Sequence, residues 1–137
     1  MRLGTILHDK EFQFSNGLPG NKLVIILSTF GKNFLAVKTT SQQHRKNKIS
    51  GCQIKDKPPN FYIPKNDSWF DEDTWVELDE VYELDFDILT SKMESKIAAS
   101  KTVLSNELIK GVLNCAIESE DIEEFYLDFL KKTVKKL

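Results

Sequence analysis

Two apolar runs separated by a short turn constrain the fold of this chain more than any other feature. The first run covers Leu23 to Thr29, the second covers Phe34 to Thr40, and the sequence FGKN joins them. Runs rich in β-branched and aromatic residues around a Gly-containing connection are typical of a β-hairpin. Both runs are apolar on two faces for several residues, which predicts central strands of a well-covered sheet. The side chains that we expect to be largely buried are Leu23, Ile25, Leu35 and Val37.

Shorter β-rich segments precede and follow the hairpin. The segment Val81 to Leu89 alternates strictly between apolar and acidic residues, which predicts a half-buried strand with an acidic outer face. The other predicted strands are Leu3 to His8, Phe12 to Phe14, the sequence NFYIP and Trp75 to Leu78.

The last third of the chain changes to a helical period. Ser105 is a candidate N-cap, because apolar residues at helical spacing follow it. Ser119 is a second candidate N-cap, followed by acidic residues and, at the end of the chain, by lysines that complement the helix dipole. Met93 to Ser100 predicts a third, weaker helix.

Strands followed by helices predict an α+β protein, namely a small barrel-like sheet with C-terminal helices. The 137 residues are enough for one domain with a hydrophobic core. We expect a single domain over 1–137, in which 1–90 are mainly a β-barrel and 91–137 are mainly helical.

The sequence predicts a cytoplasmic protein that does not enter the membrane. The longest apolar stretch, Leu23 to Leu27, is far too short to span a bilayer, and the N-terminal residues lack the apolar run of a signal peptide. Cys52 and Cys115 form no CxxC motif. In a chain without an export signal, two such cysteines predict reduced thiols in place of a disulfide or a metal site.

The charges are divided unevenly along the chain. The net charge of −2 argues against a protein that coats nucleic acid indiscriminately. However, Lys38 to Lys57 contains six basic residues and one acid, whereas Asn66 to Glu94 contains eleven acids and one lysine. The basic segment is suited to a local anion site, and the alternative is that both segments are solvated surfaces.

The two ends of the predicted hairpin place a cation beside hydroxyl groups. Lys22 stands at the start of the first strand, and Thr39, Thr40 and Ser41 end the second. Antiparallel pairing around the turn brings Lys22 near Thr40 or Ser41, which predicts a phosphate-binding site. The alternative is that threonine ends strands because of its β-propensity and that lysine merely flanks an apolar run.

A metal site is not expected. His8 and His44 are the only histidines, and neither belongs to a metal-binding motif. The acidic run DSWFDEDTW has oxygen ligands for a hard cation but lacks the spacing of a calcium loop, so we interpret it as a solvated loop. Its acidic residues are Asp67, Asp71, Glu72 and Asp73. We also expect no cofactor.

The order of these features resembles the PemK/MazF-like plasmid-maintenance toxins, a family of small barrel-fold endoribonucleases. The resemblance covers most of residues 4–117 and is one of order and pattern. The matching segments are Gly4-Thr5-Ile6, Lys22 to Leu27, Ala36-Val37-Lys38-Thr39-Thr40-Ser41, Val76 to Asp79 and Val103-Leu104-Ser105. The family usually has arginine followed by proline where this chain has Lys22 and Leu23, and lysine lacks the bidentate fork of arginine.

The resemblance implies an SH3-like barrel and a metal-independent endoribonuclease, the toxin of a toxin–antitoxin pair, that cleaves single-stranded RNA. It implies catalysis by Lys22 with Thr39 or Thr40, and the partners would be RNA, an antitoxin protein and a second copy in a homodimer. RNA supplies its own nucleophile, the 2′-hydroxyl. We predict that Ser41, His44, Arg45, Lys46 and Lys48 bind RNA.

Further roles follow from residue chemistry. His44 is a candidate proton carrier, because the pKa of an unperturbed histidine is close to neutral. Trp69, Phe70 and Trp75 are candidates for a dimer interface, with core packing as the alternative. The alternative function is a non-catalytic PemK-like barrel that acts as a protein-binding module, using its acidic strand face or its C-terminal helix.

Overall fold

The computed structural model describes all residues from Met1 to Leu137. The chain forms eight β-strands and three α-helices. The strands are β1 (Thr5–Gln13), β2 (Pro19–Phe30), β3 (Asn33–Thr40), β4 (Gly51–Gln53), β5 (Asn60–Ile63), β6 (Thr74–Glu77), β7 (Tyr82–Leu84) and β8 (Ala98–Val103). The helices are α1 (Phe86–Glu94), α2 (Asn106–Ala116) and α3 (Glu124–Lys135).

The strands form one antiparallel sheet in the order β4-β5-β6-β3-β2-β1-β8. On one side of β3 the sheet divides, because β3 pairs with β7 through Phe34 to Ala36 and with β6 through Thr39 and Thr40. The edge strands β4 and β8 do not pair with each other, so the sheet is not closed. The predicted α+β class is confirmed.

The predicted hairpin is also confirmed, and it forms the centre of the sheet. In the β2–β3 pair Val24 lies opposite Lys38, and a register shift falls between Ile26 and Ser28. Leu35 is fully buried, as are Ile25 and Val37. Leu23 is only half-buried, because it lies at the open end of the hairpin where a cleft begins.

The two faces of the hairpin contribute to different hydrophobic cores. Ile25 and Leu35 belong to the larger core, which includes buried residues of α2 and α3. Val24 and Ala36 belong to a smaller core that includes Leu89 of α1. Because both faces of β2 and β3 are covered, the position of their ends is rigidly fixed.

The strand predicted over Val81 to Leu89 is wrong beyond Leu84. The Asp85 side chain accepts a hydrogen bond from the backbone N–H of Ile88 at 2.9 Å, and α1 begins at the next residue. An aspartate that caps the backbone in this way starts a helix even where the apolar pattern has the period of a strand. The helix predicted over Met93 to Ser100 is wrong as well, because this segment ends α1 and enters β8, which pairs with β1.

One helix cap is confirmed and one is wrong. Ser105 caps α2 by accepting a hydrogen bond from Leu108 N at 3.3 Å. Ser119 does not cap α3, which begins at Glu124. The Ser119 hydroxyl instead donates to the carbonyl oxygen of Leu78 at 2.6 Å, a tertiary contact that local sequence does not reveal.

The prediction of reduced cysteines is wrong, because Cys52 and Cys115 form a disulfide with a Cα–Cα distance of 5.4 Å. The two residues are 63 positions apart in sequence, and they meet because β4 lies against α2. No helix of the structure has the length and the apolar composition needed to cross a membrane.

Candidate active-site cleft

A cleft of about 410 Å³ opens at the end of the central hairpin. Lys22, Thr39, Thr40 and Ser41 all line it. The structure therefore brings together the residues that the hairpin pattern placed side by side. The opposite wall comes from residues 69–74, the segment that leads into β6.

The ammonium group of Lys22 is fixed in this cleft. Lys22 is half-buried, and its Nζ donates a hydrogen bond to the carbonyl oxygen of Thr39 at 2.7 Å. Burial lowers the pKa of Lys22, and the neighbouring Lys38 and Lys46 lower it further, while Glu77 acts in the opposite direction. A partly desolvated and positioned cation of this kind attracts an anion more strongly than a lysine in open solvent.

A second group of charges surrounds Lys38, which lies on β3 near Lys22. Burial opposes the charge of Lys38, but Glu77 and Asp79 outweigh it and raise the pKa of Lys38 above the ordinary value. The Asp79 Oδ1 atom is buried and has no hydrogen-bond partner. Lys38 also donates to the hydroxyl of Tyr82 at 3.4 Å. Of these charges, Glu77 and Lys38 act on Lys22, although neither residue lines the cleft.

The structure distinguishes the two candidate threonines. The Thr39 side chain is only 4% exposed, and its hydroxyl donates to the carbonyl oxygen of Leu23 at 2.7 Å. Thr40 is half-buried, and its hydroxyl oxygen accepts a hydrogen bond from the backbone N–H of Gln42 at 3.2 Å. The Thr40 proton thus stays free to be donated to a ligand, whereas the Thr39 proton is used within the fold.

His8 is a cleft residue that the sequence analysis missed. It lines the cleft with Asn21, and its Nε2 contacts the Oδ1 atom of that asparagine. An amide oxygen only accepts hydrogen bonds, so Nε2 is the donor in this contact, and Nδ1 has no hydrogen-bond partner in the fold. His8 reaches the cleft through the pairing of β1 with β2, which places it opposite Leu23.

The far wall of the cleft combines an aromatic side chain with acidic ones. Trp69 is 46% exposed and lines the cleft, together with Asp71 and Glu72. By contrast, Phe70 and Trp75 are 4% and 1% exposed, so the core-packing alternative describes them correctly. Only Trp69 keeps a free aromatic face.

The basic loop, defined here as residues 41–50, lies beside the cleft and contributes little to its lining. Of the predicted RNA-binding residues only Ser41 lines the cleft, whereas His44, Arg45, Lys46 and Lys48 do not. Lys46 is 5% exposed, so little of its side chain is accessible to a ligand in this structure. The reason is that the loop folds back over Trp75, whose indole N–H donates to the carbonyl oxygen of Asn47 at 2.9 Å.

The other basic side chains of the loop face solvent. His44 contacts the Oε1 atom of Gln42 at 2.9 Å and does not reach the cleft lined by Thr40, so it is poorly placed as a proton carrier. Lys48 forms an ion pair with Asp73 at 3.0 Å. Arg45 is exposed and belongs to no ion pair.

Asp73 anchors the segment that forms the far wall. Its carboxylate accepts hydrogen bonds from the backbone N–H of Lys65 and from the hydroxyl of Tyr62, both at 2.9 Å. These hydrogen bonds, with Lys48, lower the pKa of Asp73 to about 2. Among the acids of the DSWFDEDTW run, Asp73 therefore stabilises the fold, whereas Asp71 and Glu72 line the cleft.

The molecule is thus an α+β protein with an open antiparallel sheet and a cleft lined by a cation and hydroxyl groups. No protein-family model matches the chain, and neither a curated protein nor a solved structure matches it. Proposals about function therefore depend on the chemistry of the cleft and on the sequence resemblance.

Proposed function

We propose that this protein is a metal-independent endoribonuclease that cleaves single-stranded RNA, and that it is the toxin of a toxin–antitoxin pair. One observation carries the proposal. The half-buried ammonium of Lys22, held by the Thr39 carbonyl, lies in one cleft with the hydroxyl groups of Thr40 and Ser41. This arrangement suits a phosphodiester with developing negative charge.

The cleft residues supply the interactions that RNA cleavage requires. The 2′-hydroxyl of the substrate attacks the adjacent phosphorus and displaces the 5′-oxygen of the next nucleotide, which takes a proton from solvent and leaves a 2′,3′-cyclic phosphate behind. Lys22 stabilises the charge on the non-bridging oxygens, and Thr40 donates to one of them. The free Nδ1 of His8 is suited to accept the proton of the 2′-hydroxyl. None of these steps calls on a metal ion.

Binding of the strand would use the far wall of the cleft. The exposed ring of Trp69 offers a face on which a base can stack. The carboxylates of Asp71 and Glu72 repel phosphate, but they can accept hydrogen bonds from the exocyclic amino groups of bases. We therefore place the bases at this wall and the scissile phosphate at Lys22, an orientation that gives the cleavage sequence selectivity.

The proposal extends to the finer fold and the partners. An antiparallel sheet that divides at β3 and covers the larger hydrophobic core on one face supports the interpretation as an SH3-like, PemK-like barrel. A toxin of this kind acts in the cytoplasm, pairs with an antitoxin protein that covers the cleft, and forms a homodimer.

A second candidate function is a non-catalytic protein-binding module, and one observation favours it. A groove of about 160 Å³ lies between β1, β7 and α1, with apolar residues such as Phe12 and Leu89 in its lining. Its rim includes the acids Glu83 and Asp85 and also Ile88, which is 60% exposed. Of the acidic strand face that the sequence predicted, only Glu83 lies on a strand, because Asp85 caps α1 and Ile88 belongs to that helix.

The test of the enzymatic proposal is cleavage of labelled single-stranded RNA of mixed sequence by the purified protein. We expect cleavage in the presence of a chelator, at sites that share a short sequence, and products that end in a cyclic phosphate. Lys22→Ala, purified in the same way, controls for contaminating ribonucleases. Cleavage of equal rate and pattern by this variant, or no cleavage of any RNA by the wild type, would favour the binding module.

A further inference from the structure

We propose that the Cys52–Cys115 disulfide is a site of thiol–disulfide exchange, and that its reduction by a dithiol releases the basic loop. The two cysteine residues differ in exposure to solvent. Cys52 is exposed, whereas Cys115 is only 2% exposed. An incoming thiolate therefore reaches the Sγ atom of Cys52 and not that of Cys115.

The exchange balances in two steps. The thiolate of a dithiol attacks Cys52 Sγ and breaks the disulfide, and Cys115 leaves with the electron pair and takes a proton from solvent. The second thiol of the reductant then attacks the mixed disulfide, which frees Cys52 as a thiolate and leaves the reductant as its own disulfide. Two electrons pass from the dithiol to the protein.

The fold contains an acceptor for the buried thiol that reduction creates. The carbonyl oxygen of Asn60 lies 3.6 Å from Cys115 Sγ. Once Cys115 carries a proton, its S–H group can donate to this oxygen. The reduced state is therefore satisfied inside the protein, and the reaction has no need to unfold α2.

The disulfide is a main attachment of strand β4. This strand has three residues and lies at the edge of the sheet, where it pairs only with β5. Its pairs are Gly51 with Tyr62, Cys52 with Phe61 and Gln53 with Asn60. A ladder this short is weak by itself, so the covalent link to α2 contributes much of the stability of β4 in the sheet.

Strand β4 in turn holds the basic loop. Gln53, the neighbour of Cys52, accepts a hydrogen bond from Ile49 N and donates one to the carbonyl oxygen of Asn47, both at 2.8 Å. Asn47 also donates to both carboxylate oxygens of Asp56, at 3.0 Å and 2.8 Å. The loop contains no strand or helix, so these contacts determine its position together with the Trp75 indole N–H on the Asn47 carbonyl and the Lys48–Asp73 ion pair.

Reduction should therefore change which cations face solvent. In the oxidised protein the loop is closed, and Lys46 is 5% exposed. When β4 loses its covalent attachment, the contacts of Gln53 weaken, and the loop, now held mainly by the Trp75 and Lys48 contacts, opens more often and exposes Lys46 for a larger fraction of the time. The redox state of one disulfide thus controls the amount of positive charge beside the cleft, whether or not the protein cleaves RNA.

Limited digestion with trypsin tests this inference, because the loop contains Arg45, Lys46 and Lys48. Full-length protein is compared before and after reduction with dithiothreitol and alkylation with iodoacetamide, and the fragments are identified by mass spectrometry. We expect cleavage within the loop about tenfold faster after reduction, with unchanged cleavage after the exposed Lys10 of β1. Cys52→Ser should behave like the reduced wild type without any reductant.

A second variant separates the mechanical step from the redox step. Gln53→Ala removes the contacts between β4 and the loop, so it should speed up loop cleavage while the disulfide stays intact. Loop cleavage that is the same in oxidised and reduced wild type would overturn the proposal. Faster cleavage of β1 and the loop together would also overturn it, because the disulfide would then stabilise the whole fold. A disulfide that resists dithiothreitol in the folded protein would contradict the exchange at Cys52.

Discussion

The central hairpin and the basic loop are neighbours in sequence, yet their structures have different origins. In the hairpin, backbone hydrogen bonds between β2 and β3 set the register, and two hydrophobic cores cover its faces. In the basic loop, the positions of residues depend on side chains from elsewhere, such as Gln53 and Trp75. The central hairpin is therefore a rigid platform for the chemical groups of the cleft. The basic loop beside it is held by only a few side-chain contacts.

A charge placed in the hairpin core should have the largest effect. Leu35 is fully buried in the larger core, so Leu35→Asp places a carboxylate where no cation can pair with it. We expect a loss of several kcal/mol, comparable with the total stability of a domain, and loss of the cooperative thermal transition. The measurement is circular dichroism during heating. Thr29→Asp, at an exposed position of β2, is the matched control and should fold, and a stable Leu35→Asp variant would contradict the central position of the strand.

The next largest effect concerns the chemistry of the cleft. Lys22→Ala and Thr40→Ala should each lower the rate of RNA cleavage about 10²–10³-fold, because each removes a positioned donor to the reacting phosphate. Their thermal stability should stay close to that of the wild type, since both side chains are only half-buried.

Thr39→Ala is the matched comparison for Thr40→Ala. It removes a buried hydrogen bond to the carbonyl oxygen of Leu23, so we expect a loss of about 1–3 kcal/mol in stability and a smaller effect on the rate at low temperature. If Thr39→Ala abolished cleavage in a protein of full stability, the assignment of Thr40 would be wrong.

The pH dependence of cleavage should report the protonation of Lys22. Burial lowers the pKa of Lys22 below the ordinary value of 10.5, so its charge is lost earlier than usual as pH rises. The enzymatic cleavage rate, measured after subtraction of the uncatalysed alkaline hydrolysis of RNA, should therefore fall in the alkaline range, at a pH below 10.5. Lys22→Arg keeps its charge throughout this range and should not show the fall. A decline that is identical in both proteins would assign the titration to another group.

Much of the platform was predictable from the sequence because its determinants are local. The β-rich runs and their turn predicted β2 and β3, and symmetry about the turn predicted that Lys22 meets the end of β3. The choice between Thr39 and Thr40 was not predictable, because it depends on whether Thr39 reaches the Leu23 carbonyl. His8 was missed because its place in the cleft requires the pairing of β1 with β2.

The loop and the helical segments show where sequence reasoning failed. The burial of Lys46 depends on Trp75, nearly thirty residues away in sequence, as their contact through Asn47 shows. The disulfide joins residues 63 positions apart, which no local pattern indicates. At Asp85 two local signals competed, and the helix cap prevailed over the alternation of a strand. The failures at Lys46 and at the disulfide share one cause, namely contacts that exist only once the chain has folded, whereas the failure at Asp85 lies in the competition between two local signals.

Trp69 should give a smaller effect, on binding more than on catalysis. If a base stacks on its exposed ring, Trp69→Ala should weaken binding of a short RNA by about 1–3 kcal/mol, or roughly 5-fold to 150-fold. Trp69→Phe keeps an aromatic face and should retain most of the affinity. Fluorescence anisotropy of a labelled oligonucleotide measures both variants in the Lys22→Ala background, where the RNA stays intact. Equal affinity of the alanine and phenylalanine variants would show that no base stacks on the ring of Trp69.

The smallest effect is expected in the basic loop, whose position depends on side-chain contacts and not on strand pairing. Arg45 is exposed and free of ion pairs, so it can reach a phosphate outside the cleft, whereas Lys46 is only 5% exposed. Loss of one phosphate contact reduces the slope of log affinity against log salt by about 1. We expect this change for Arg45→Gln and almost no change in slope for Lys46→Gln in the oxidised protein. Both are measured by anisotropy over a series of salt concentrations. Equal slopes for Arg45→Gln and the wild type would remove the loop from the RNA-binding surface, while a reduced slope for Lys46→Gln would show that the loop opens when RNA binds.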